Sequence, residues 1–304
     1  MASDSTNKVL ITGGGGLLGR SAAARFSQSG WHVVSFSKAD LDISNEAAVL
    51  ELIDRIEPGF VINCAAATDV DRCEREPAWA YEANELGPRL LARACRNQGA
   101  SLVHISTDYV FDGQKDGFYT QDDKPNPQSV YAKSKLAGEL AVTAELGERA
   151  YIVRSSWIFG AGGKNFGSRV VDFARSGAKL KGVIDQFSIP TYAPDLAARI
   201  VEIAHRGVSG LYQVTNTGAA TWMGFARMAL DLAGLGNVEI SPVTRVELAQ
   251  PAPRPHNSAM RCVLSEQLGF TPLRAWQEAL TEFIHQLCLP ASLQNTTGGT
   301  RLDH

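Results

Sequence analysis

An α/β fold is predicted for this chain by three features of its first 160 residues. Short apolar runs that are typical of buried strands recur at 9–12, 32–37, 60–67 and 101–105. Stretches with helical spacing separate these runs, as parallel strands require because each crossover must span the sheet. The first run ends in a cluster of glycines that opens a helix. Together these features indicate a Rossmann-type doubly wound parallel sheet, followed by a smaller C-terminal α/β substrate domain.

The glycine cluster predicts a dinucleotide site. Both G-x-x-G-x-x-G and G-x-G-x-x-G can be traced in it. Glycines permit a tight turn and let backbone N–H groups approach a pyrophosphate, which then lies at the positive end of the helix dipole. In isolation the cluster could be a flexible turn, but its place between strand and helix favours phosphate binding. The candidate residues are Gly13, Gly16, Leu17, Leu18 and Gly19.

The second strand ends without an acidic residue, which bears on the choice of cofactor. A carboxylate there would bind the ribose 2′-hydroxyl of NAD, whereas Ser35, Ser37 and Lys38 leave room and partners for a 2′-phosphate. NADPH is therefore the expected cofactor, with NADH as the alternative. Asp42, followed by Ile43, is the next carboxylate on the adenine side, or else it belongs to the N-terminal cap of a helix over 45–56.

Small residues end the third strand, where they would let a flat cofactor lie close: Ala65, Ala66 and Ala67. The fourth strand leads directly into Ser106-Thr107-Asp108. Because ligands of open parallel sheets bind beyond the carboxyl ends of the strands, we expect these polar residues at the site. His104, within the apolar run, is expected to be a hydrogen-bonded core histidine.

Tyr131 and Lys135 lie four positions apart on a predicted helix, which places the phenol and the ammonium on one face. A phenol with a pKa of about 10 is a poor acid or base at neutral pH, so a nearby cation that favours the phenolate would suit proton transfer. The alternative is a surface Tyr and Lys on an ordinary helix. The glycine turn and the Ser-Thr pair upstream favour the catalytic interpretation.

The regular alternation of strand and helix loosens after Phe159. We predict a dinucleotide-binding domain over 1–160, which a helix and a strand within 190–218 rejoin. The substrate-binding domain would then comprise 161–189 and 219–290. The polar stretch 291–304 is expected to be disordered.

Composition excludes several classes of protein. The 304 residues carry a net charge of −3, which argues against a nucleic-acid binder. No signal peptide and no run of about 18 apolar residues is visible, so we expect no membrane association and a cytoplasmic location. The five cysteines lack metal-site spacing and are expected to be free thiols.

Six motifs in a fixed order carry a resemblance: Gly13/Gly16/Gly19, Ser106-Thr107-Asp108-Tyr109-Val110-Phe111, Tyr131-x-x-x-Lys135, Ser155-Ser156-Trp157, Asp185-Gln186-x-x-x-Pro190-Thr191 and Arg254-Pro255-x-Asn257-Ser258. Over about residues 8–290 the chain resembles the extended short-chain dehydrogenases/reductases and, among them, the dTDP-4-dehydrorhamnose reductases. That resemblance implies reduction of a dTDP-4-keto sugar, dTDP-4-dehydro-L-rhamnose, to dTDP-L-rhamnose, a precursor of cell-surface polysaccharide. A homodimer is compatible with it.

The resemblance also implies roles for individual residues. Tyr131 would donate a proton to the developing alkoxide, Lys135 would hold the nicotinamide ribose and lower the pKa of Tyr131, and Thr107 would hydrogen-bond the carbonyl. Asp108 and Trp157 match positions that line the sugar site in the family.

Three further positions bear on the site. Arg254 is a candidate partner for the substrate pyrophosphate, because a guanidinium matches phosphate oxygens; equally, it could form a salt bridge that holds a proline-rich loop. Ser188 stands where the family often has glycine, so the loop before Pro190 is expected to differ in shape. The segment 17–29 has no carboxylate, so a magnesium ion held there in some relatives is not expected.

Two other functions remain open. One is that of another nucleotide-sugar epimerase or 4,6-dehydratase, although dehydratases usually carry an acid where this chain has Tyr109. The other is that of a non-catalytic NADP-binding regulatory subunit, similar to the methionine adenosyltransferase beta subunit.

The absence of an acid at the end of the second strand predicts a measurable cofactor preference. Steady-state kinetics should give a higher kcat/KM with NADPH than with NADH, because Ser37 and Lys38 leave room for a 2′-phosphate and can donate hydrogen bonds to it. A higher kcat/KM with NADH would refute this prediction.

Overall fold

A parallel sheet forms the centre of the molecule. The computed structural model describes residues 7–163 and 165–288, so the predicted tail lies outside the described residues. Within them, six strands form this sheet in the order β2-β1-β3-β4-β5-β10, and every neighbouring pair is parallel. The strands are β1 (Lys8–Thr12), β2 (His32–Phe36), β3 (Phe60–Asn63), β4 (Ser101–Thr107), β5 (Ala150–Ser155) and β10 (Gly210–Gln213).

Helices cover both faces of the sheet, which confirms the doubly wound prediction. On one face the core contains Phe26 of α1 (Leu17–Gln28) and Leu196 of α8 (Ala193–Arg206). On the other it contains side chains from three helices, namely α2 (Glu46–Ile56), α5 (Gly87–Gln98) and α6 (Val130–Leu146). The pairing of β10 with β5 and the packing of α8 on α1 return the chain to this layer, as expected for 190–218.

A second group of elements follows β5. Its strands form short pairs, in which β6 (Ile158–Phe159) joins β9 (Thr191–Tyr192), β7 (Leu180–Val183) joins β12 (Ile240–Val243), and β8 (Phe187–Ser188) joins β11 (Ala220–Thr221). The helices are α7 (Phe166–Arg175), α9 (Trp222–Leu232), α10 (Arg245–Leu248), α11 (Val263–Gln267) and α12 (Trp276–Cys288). Phe159, Phe225 and Phe283 pack together in the core of this group. The division into two domains stays a prediction.

The helical region before β4 is interrupted. It consists of α4 (Pro77–Tyr81), a π-helical turn (Glu82–Leu86) and α5, and α3 (Val70–Arg75) precedes it. Pro88 has no N–H to bond the carbonyl of Asn84, so the helix widens at this point. Gly138 of α6 approaches that carbonyl so closely that an added Cβ would lie 2.1 Å from it.

The strand expected over 151–159 is also divided. Trp157 has a φ of 42°, a left-handed conformation that no continuous strand contains, so β6 leaves the central sheet and pairs with β9. None of the helices in the described ranges is both long and apolar enough to cross a membrane.

The chain reverses direction across the sheet at β1. It proceeds from β1 outward to β2 and then crosses to β3 on the other side, so the loops after β1 and β3 diverge and open a crevice. Gly13 lies in this crevice with a φ of 68°, and an added Cβ would lie 2.6 Å from the backbone nitrogen of Ala65. The turn therefore requires glycine at this position.

Gly13→Ala should impair cofactor binding. The methyl group would push the turn away from Ala65 and strain its backbone, so we expect the Kd for NADP⁺, measured by calorimetry, to rise on the order of tenfold or more. Gly163→Ala is the control, since its Cβ would make only an ordinary 3.5 Å contact with Leu17. Equal affinities for the two variants would contradict the prediction.

Candidate active site

A cleft of about 920 Å³ lies over the carboxyl ends of β1, β3, β4 and β5. Every predicted cofactor, catalytic and substrate residue lines it, with the exception of Arg254. The sequence had separated these residues by up to 144 positions, from Gly13 to Trp157. The fold brings them together because the parallel strands end at one edge of the sheet.

The glycine turn presents an uncapped helix N-terminus to the cleft. Gly16 is the N-cap of α1, no side chain caps the helix, and its first turn has no acidic residue. The backbone N–H of Gly16 donates to the carbonyl of Gly13 at 2.9 Å, which closes the turn. An added Cβ on Gly19 would lie 2.3 Å from the same carbonyl oxygen. The free N–H groups and the helix dipole suit a phosphate.

Ser37, Lys38 and Asp42 line the far end of the cleft, and Asp40 contacts Ser37. Asp40 Oδ2 accepts hydrogen bonds from the Ser37 backbone N–H at 2.9 Å and from the Ser37 hydroxyl at 2.5 Å, and these bonds lower the pKa of Asp40. Asp42 accepts from the N–H and hydroxyl of Ser44, at 3.0 and 2.7 Å. Asn45 caps α2 through the N–H of Ala48, so the alternative assignment of Asp42 as the cap is wrong.

The catalytic candidates lie near the start of α6. Ser129 caps this helix by accepting from the Ala132 N–H at 3.2 Å, and Glu74 accepts from the Val130 N–H at 2.9 Å. The Lys135 ammonium donates to the carbonyl of Ile105 at 2.6 Å, at the end of β4. These contacts fix the register of the helix against the strand that carries Thr107.

Burial controls the protonation of these groups. It raises the pKa of Tyr131, an effect that a hydrogen bond with Thr107 opposes and the charge of Asp108 reinforces. Burial lowers the pKa of Lys135 to about 8, and the charge of Glu139 acts in the opposite direction. The predicted lowering of the Tyr131 pKa by Lys135 is therefore not found, because the ammonium is directed to Ile105 and desolvation of the phenolate dominates. Tyr131 is a neutral phenol at pH 7.

A chain of buried polar side chains connects Lys135 to the glycine turn. The Thr12 hydroxyl donates to Asn63 Oδ1 at 2.7 Å, Asn63 Nδ2 lies 3.1 Å from His104 Nδ1, and His104 Nε2 lies 3.5 Å from Lys135 Nζ. All four residues are buried. The expected core role of His104 is confirmed. Burial, and next the charge of Lys135, hold the pKa of His104 well below its usual value, so the imidazole is neutral.

Glu139 is a residue of this site that the sequence analysis missed. It lies one turn beyond Lys135 on α6 and forms a buried two-pronged ion pair with Arg154 of β5, at 2.9 and 2.7 Å. The hydroxyl of Ser106 donates to it at 2.5 Å. Its spacing of four from Lys135 was the available signal, because residues i and i+4 share a helix face.

The substrate candidates divide into two groups. Trp157 lines the cleft and stacks on Trp222 with ring centroids 3.7 Å apart. Arg254 does not line the cleft, since its Nη1 forms a 2.6 Å ion pair with Asp71 and donates to the carbonyl of Ala252 at 2.7 Å. The Ala252 N–H donates to the same carboxylate at 3.1 Å, so Arg254 holds the proline-rich loop, as in the alternative assignment.

Ser188 adopts its backbone conformation without strain, and the expected difference in loop shape from the family stays a prediction. Its φ is not in the left-handed region, so serine adopts this backbone without strain. Its hydroxyl is buried and donates to Asp108 Oδ2 at 2.9 Å.

Comparison with known proteins agrees with this geometry. A family model described as the RmlD substrate binding domain matches residues 7–289. The dTDP-4-dehydrorhamnose reductase of Streptomyces griseus is 39% identical over 284 residues, which covers 92% of this chain and 93% of that protein. A dTDP-4-keto-6-deoxy-D-glucose reductase of Streptomyces niveus is 36% identical, with coverage of 91% and 96%.

A solved structure resembles the whole described fold. The dTDP-4-dehydrorhamnose reductase of Bacillus anthracis, in complex with NADP, has a TM-score of 0.89 and 35% identity, and the match covers 92% of this chain and 99% of that one. Family match, identity and coverage lead to one conclusion: the chain belongs to the dTDP-4-dehydrorhamnose reductase family, whose members are oxidoreductases.

Proposed function

We propose that the protein reduces the 4-keto group of dTDP-4-dehydro-L-rhamnose with NADPH, which yields dTDP-L-rhamnose. The observation that carries the proposal is the pair of Thr107 and Tyr131 hydroxyls, which lies with Lys135 in the same cleft as the glycine turn. A ketone placed in this cleft can reach two hydroxyl donors and a bound dinucleotide together.

The residues of the cleft fit a dinucleotide. Gly13 and Gly19 leave space that any Cβ would fill, and α1 offers uncapped N–H groups to the pyrophosphate. Ser37 and Lys38 line the same cleft, and we assign the adenosine ribose and its 2′-phosphate to this end, where the Lys38 ammonium offers a cation. When bound, the reduced nicotinamide supplies the hydride.

Tyr131 and Thr107 act on the oxygen of the ketone. Negative charge develops on that oxygen as the carbonyl is reduced, so a phenol and a hydroxyl beside it stabilise the transition state more than the ketone. Because the phenol is neutral at pH 7, it can donate its proton. Lys135 lines the same cleft, and we assign its ammonium to the nicotinamide ribose.

The names of the relatives include more than one 4-keto sugar. The S. griseus and S. niveus relatives differ by 3 percentage points in identity to this chain, 39% against 36%, although their names give different 4-keto sugars. A 4,6-dehydratase is disfavoured, because Tyr109 stands where dehydratases usually carry an acid. The Tyr109 hydroxyl accepts a hydrogen bond from Gln186 at 3.1 Å. A cytoplasmic location and a homodimer remain predictions.

Tyr131→Phe should lower kcat for the keto sugar on the order of 10²-fold, since the proton donor is lost while the ring remains. The measurement is NADPH oxidation, followed by absorbance, across a panel of dTDP- and UDP-4-keto sugars. Tyr151→Phe is the matched control, because Tyr151 lies in the core under the sheet and does not line the cleft.

Two outcomes would count against the proposal. A Tyr131→Phe variant near the native rate would exclude the phenol as proton donor. A native chain that oxidises no NADPH with any sugar of the panel, but co-purifies with a synthetase, would favour the regulatory subunit.

A further inference from the structure

Three hydroxyl groups surround the carboxylate of Asp108. Its Oδ2 accepts from Ser188 at 2.9 Å and from Ser258 at 2.5 Å, and its Oδ1 accepts from Thr107 at 3.1 Å. All four residues are buried. Hydrogen bonds to an ionised acceptor are stronger than those to a neutral one, so this arrangement favours the carboxylate over the acid.

Two of the hydroxyls come from segments far along the chain that are fastened to each other. The Phe187 N–H donates to the carbonyl of His256 at 2.7 Å, and the Ser258 N–H donates to the carbonyl of Phe187 at 2.9 Å. Ser188 and Ser258 therefore reach Asp108 as a pair, from β8 and from the loop after the proline-rich stretch. The pair connects these segments to the end of β4.

The proposed function gives this carboxylate a task. Asp108 lines the cleft beside Thr107 and Tyr131, and its charge raises the pKa of the Tyr131 phenol. Tyr131 is protonated at neutral pH whether or not Asp108 is charged, so the task of the carboxylate is that of a fixed hydrogen-bond acceptor in the cleft. A neutral Asp108 would lose an acceptor oxygen and would itself compete as a hydrogen-bond donor.

We propose that Ser188 is a positioning residue, which, together with Ser258, holds Asp108 as a fixed carboxylate next to the proton donor. This inference rests on the proposed function. It assigns a role to the residue at which the chain departs from the glycine often found in the family.

Opposing effects bring the pKa of Asp108 close to neutral pH. Burial raises the pKa of Asp108, the hydrogen bonds from Ser258, Ser188 and Thr107, in that order, lower it, and the net result is a pKa of about 6. A lost hydrogen bond to a charged group corresponds to a shift of about one pH unit or more. Removal of the Ser188 hydroxyl would therefore carry the titration of Asp108 into the range around pH 7.

The other ionisable groups near Asp108 include two tyrosines, Arg254 and His256. Tyr109 on the same turn and Tyr131 on α6 both have pKa values raised by burial, and Arg254 acts on Tyr109 as a cation. His256 lies on the loop that carries Ser258, but its ring packs edge-on against Phe187 and its Nδ1 contacts the carbonyl of Asp185 at 2.6 Å. A His256→Gln variant removes this imidazole and leaves the carboxylate of Asp108 in place.

The first test is the pH dependence of kcat/KM. In Ser188→Ala the acid limb of the profile should move upward by about one pH unit, so that kcat/KM falls several-fold near pH 6.5 and recovers at pH 8. Ser258→Ala should shift the limb in the same direction, and His256→Gln should not. Ser156→Ala is the matched control, because its buried hydroxyl donates to the carbonyl of Ile189 at 2.5 Å and not to a carboxylate.

The second test needs neither cofactor nor substrate. A carboxyl group whose pKa is higher in the folded than in the unfolded chain binds protons preferentially in the folded state, so its contribution to stability falls as pH rises from about 4 to about 6. In Ser188→Ala that fall should continue to about pH 7, and the Tm deficit relative to the native chain should grow between pH 5 and pH 8. The deficit of Ser156→Ala should stay constant.

The two tests separate the inference from the proposed function. A Tm deficit of Ser188→Ala that is the same at pH 5 and pH 8, or an unmoved acid limb in an active enzyme, would overturn the role of Ser188. If the native chain reduces no keto sugar, the proposed function fails, while the Tm series still decides whether Ser188 holds the carboxylate.

Discussion

The burial of Lys135 is the constraint on which the rest of the site depends. Its ammonium is 2% exposed, so the charge is stable only where the fold supplies partners. The carbonyl of Ile105 accepts from it at 2.6 Å, and Glu139 adds a favourable charge from the next turn of α6. Through His104 and Asn63 the same polar chain reaches Thr12, immediately before the glycine turn. The phosphate-binding turn and the catalytic helix are thereby held in one frame.

Desolvation gives each titratable group of the cleft its protonation state. Burial favours the neutral form of Tyr131, and it favours the neutral forms of Lys135 and Asp108 as well, but less than enough to neutralise them at pH 7. Hydrogen-bond donors around Asp108 and the Glu139 charge near Lys135 oppose the burial. The result is a protonated phenol in a cleft that also contains a carboxylate and an ammonium, a pattern suited to proton donation.

Much of this could be predicted from local patterns. Strand and helix periodicity gave the sheet, and the rule that ligands lie beyond the carboxyl ends of parallel strands placed Thr107 and Asp108. Contacts between distant segments could not be predicted in this way. The pairing of Arg254 with Asp71, 183 positions apart, and of Ser258 with Asp108, 150 positions apart, leaves no trace in spacing or composition. The pKa of Tyr131 was expected in the wrong direction, because the sequence shows the nearby cation but not the extent of burial.

The π-helical turn and the left-handed Trp157 have a similar explanation. Pro88 signals an interruption in a helix, but the sequence does not show that Gly138 of α6 packs against the carbonyl of Asn84 in the widened turn. The Trp157 backbone is strained, and its stacking on Trp222 of α9 supports a conformation that the local sequence disfavours.

The central claim is that hydride passes from a bound nicotinamide to the ketone carbon of the sugar while Tyr131 protonates the oxygen. The most direct measurement uses NADPH deuterated at the transferable position and follows the product by NMR. The account predicts deuterium at C4 of dTDP-rhamnose. A product without deuterium, or with deuterium at another carbon, would contradict it.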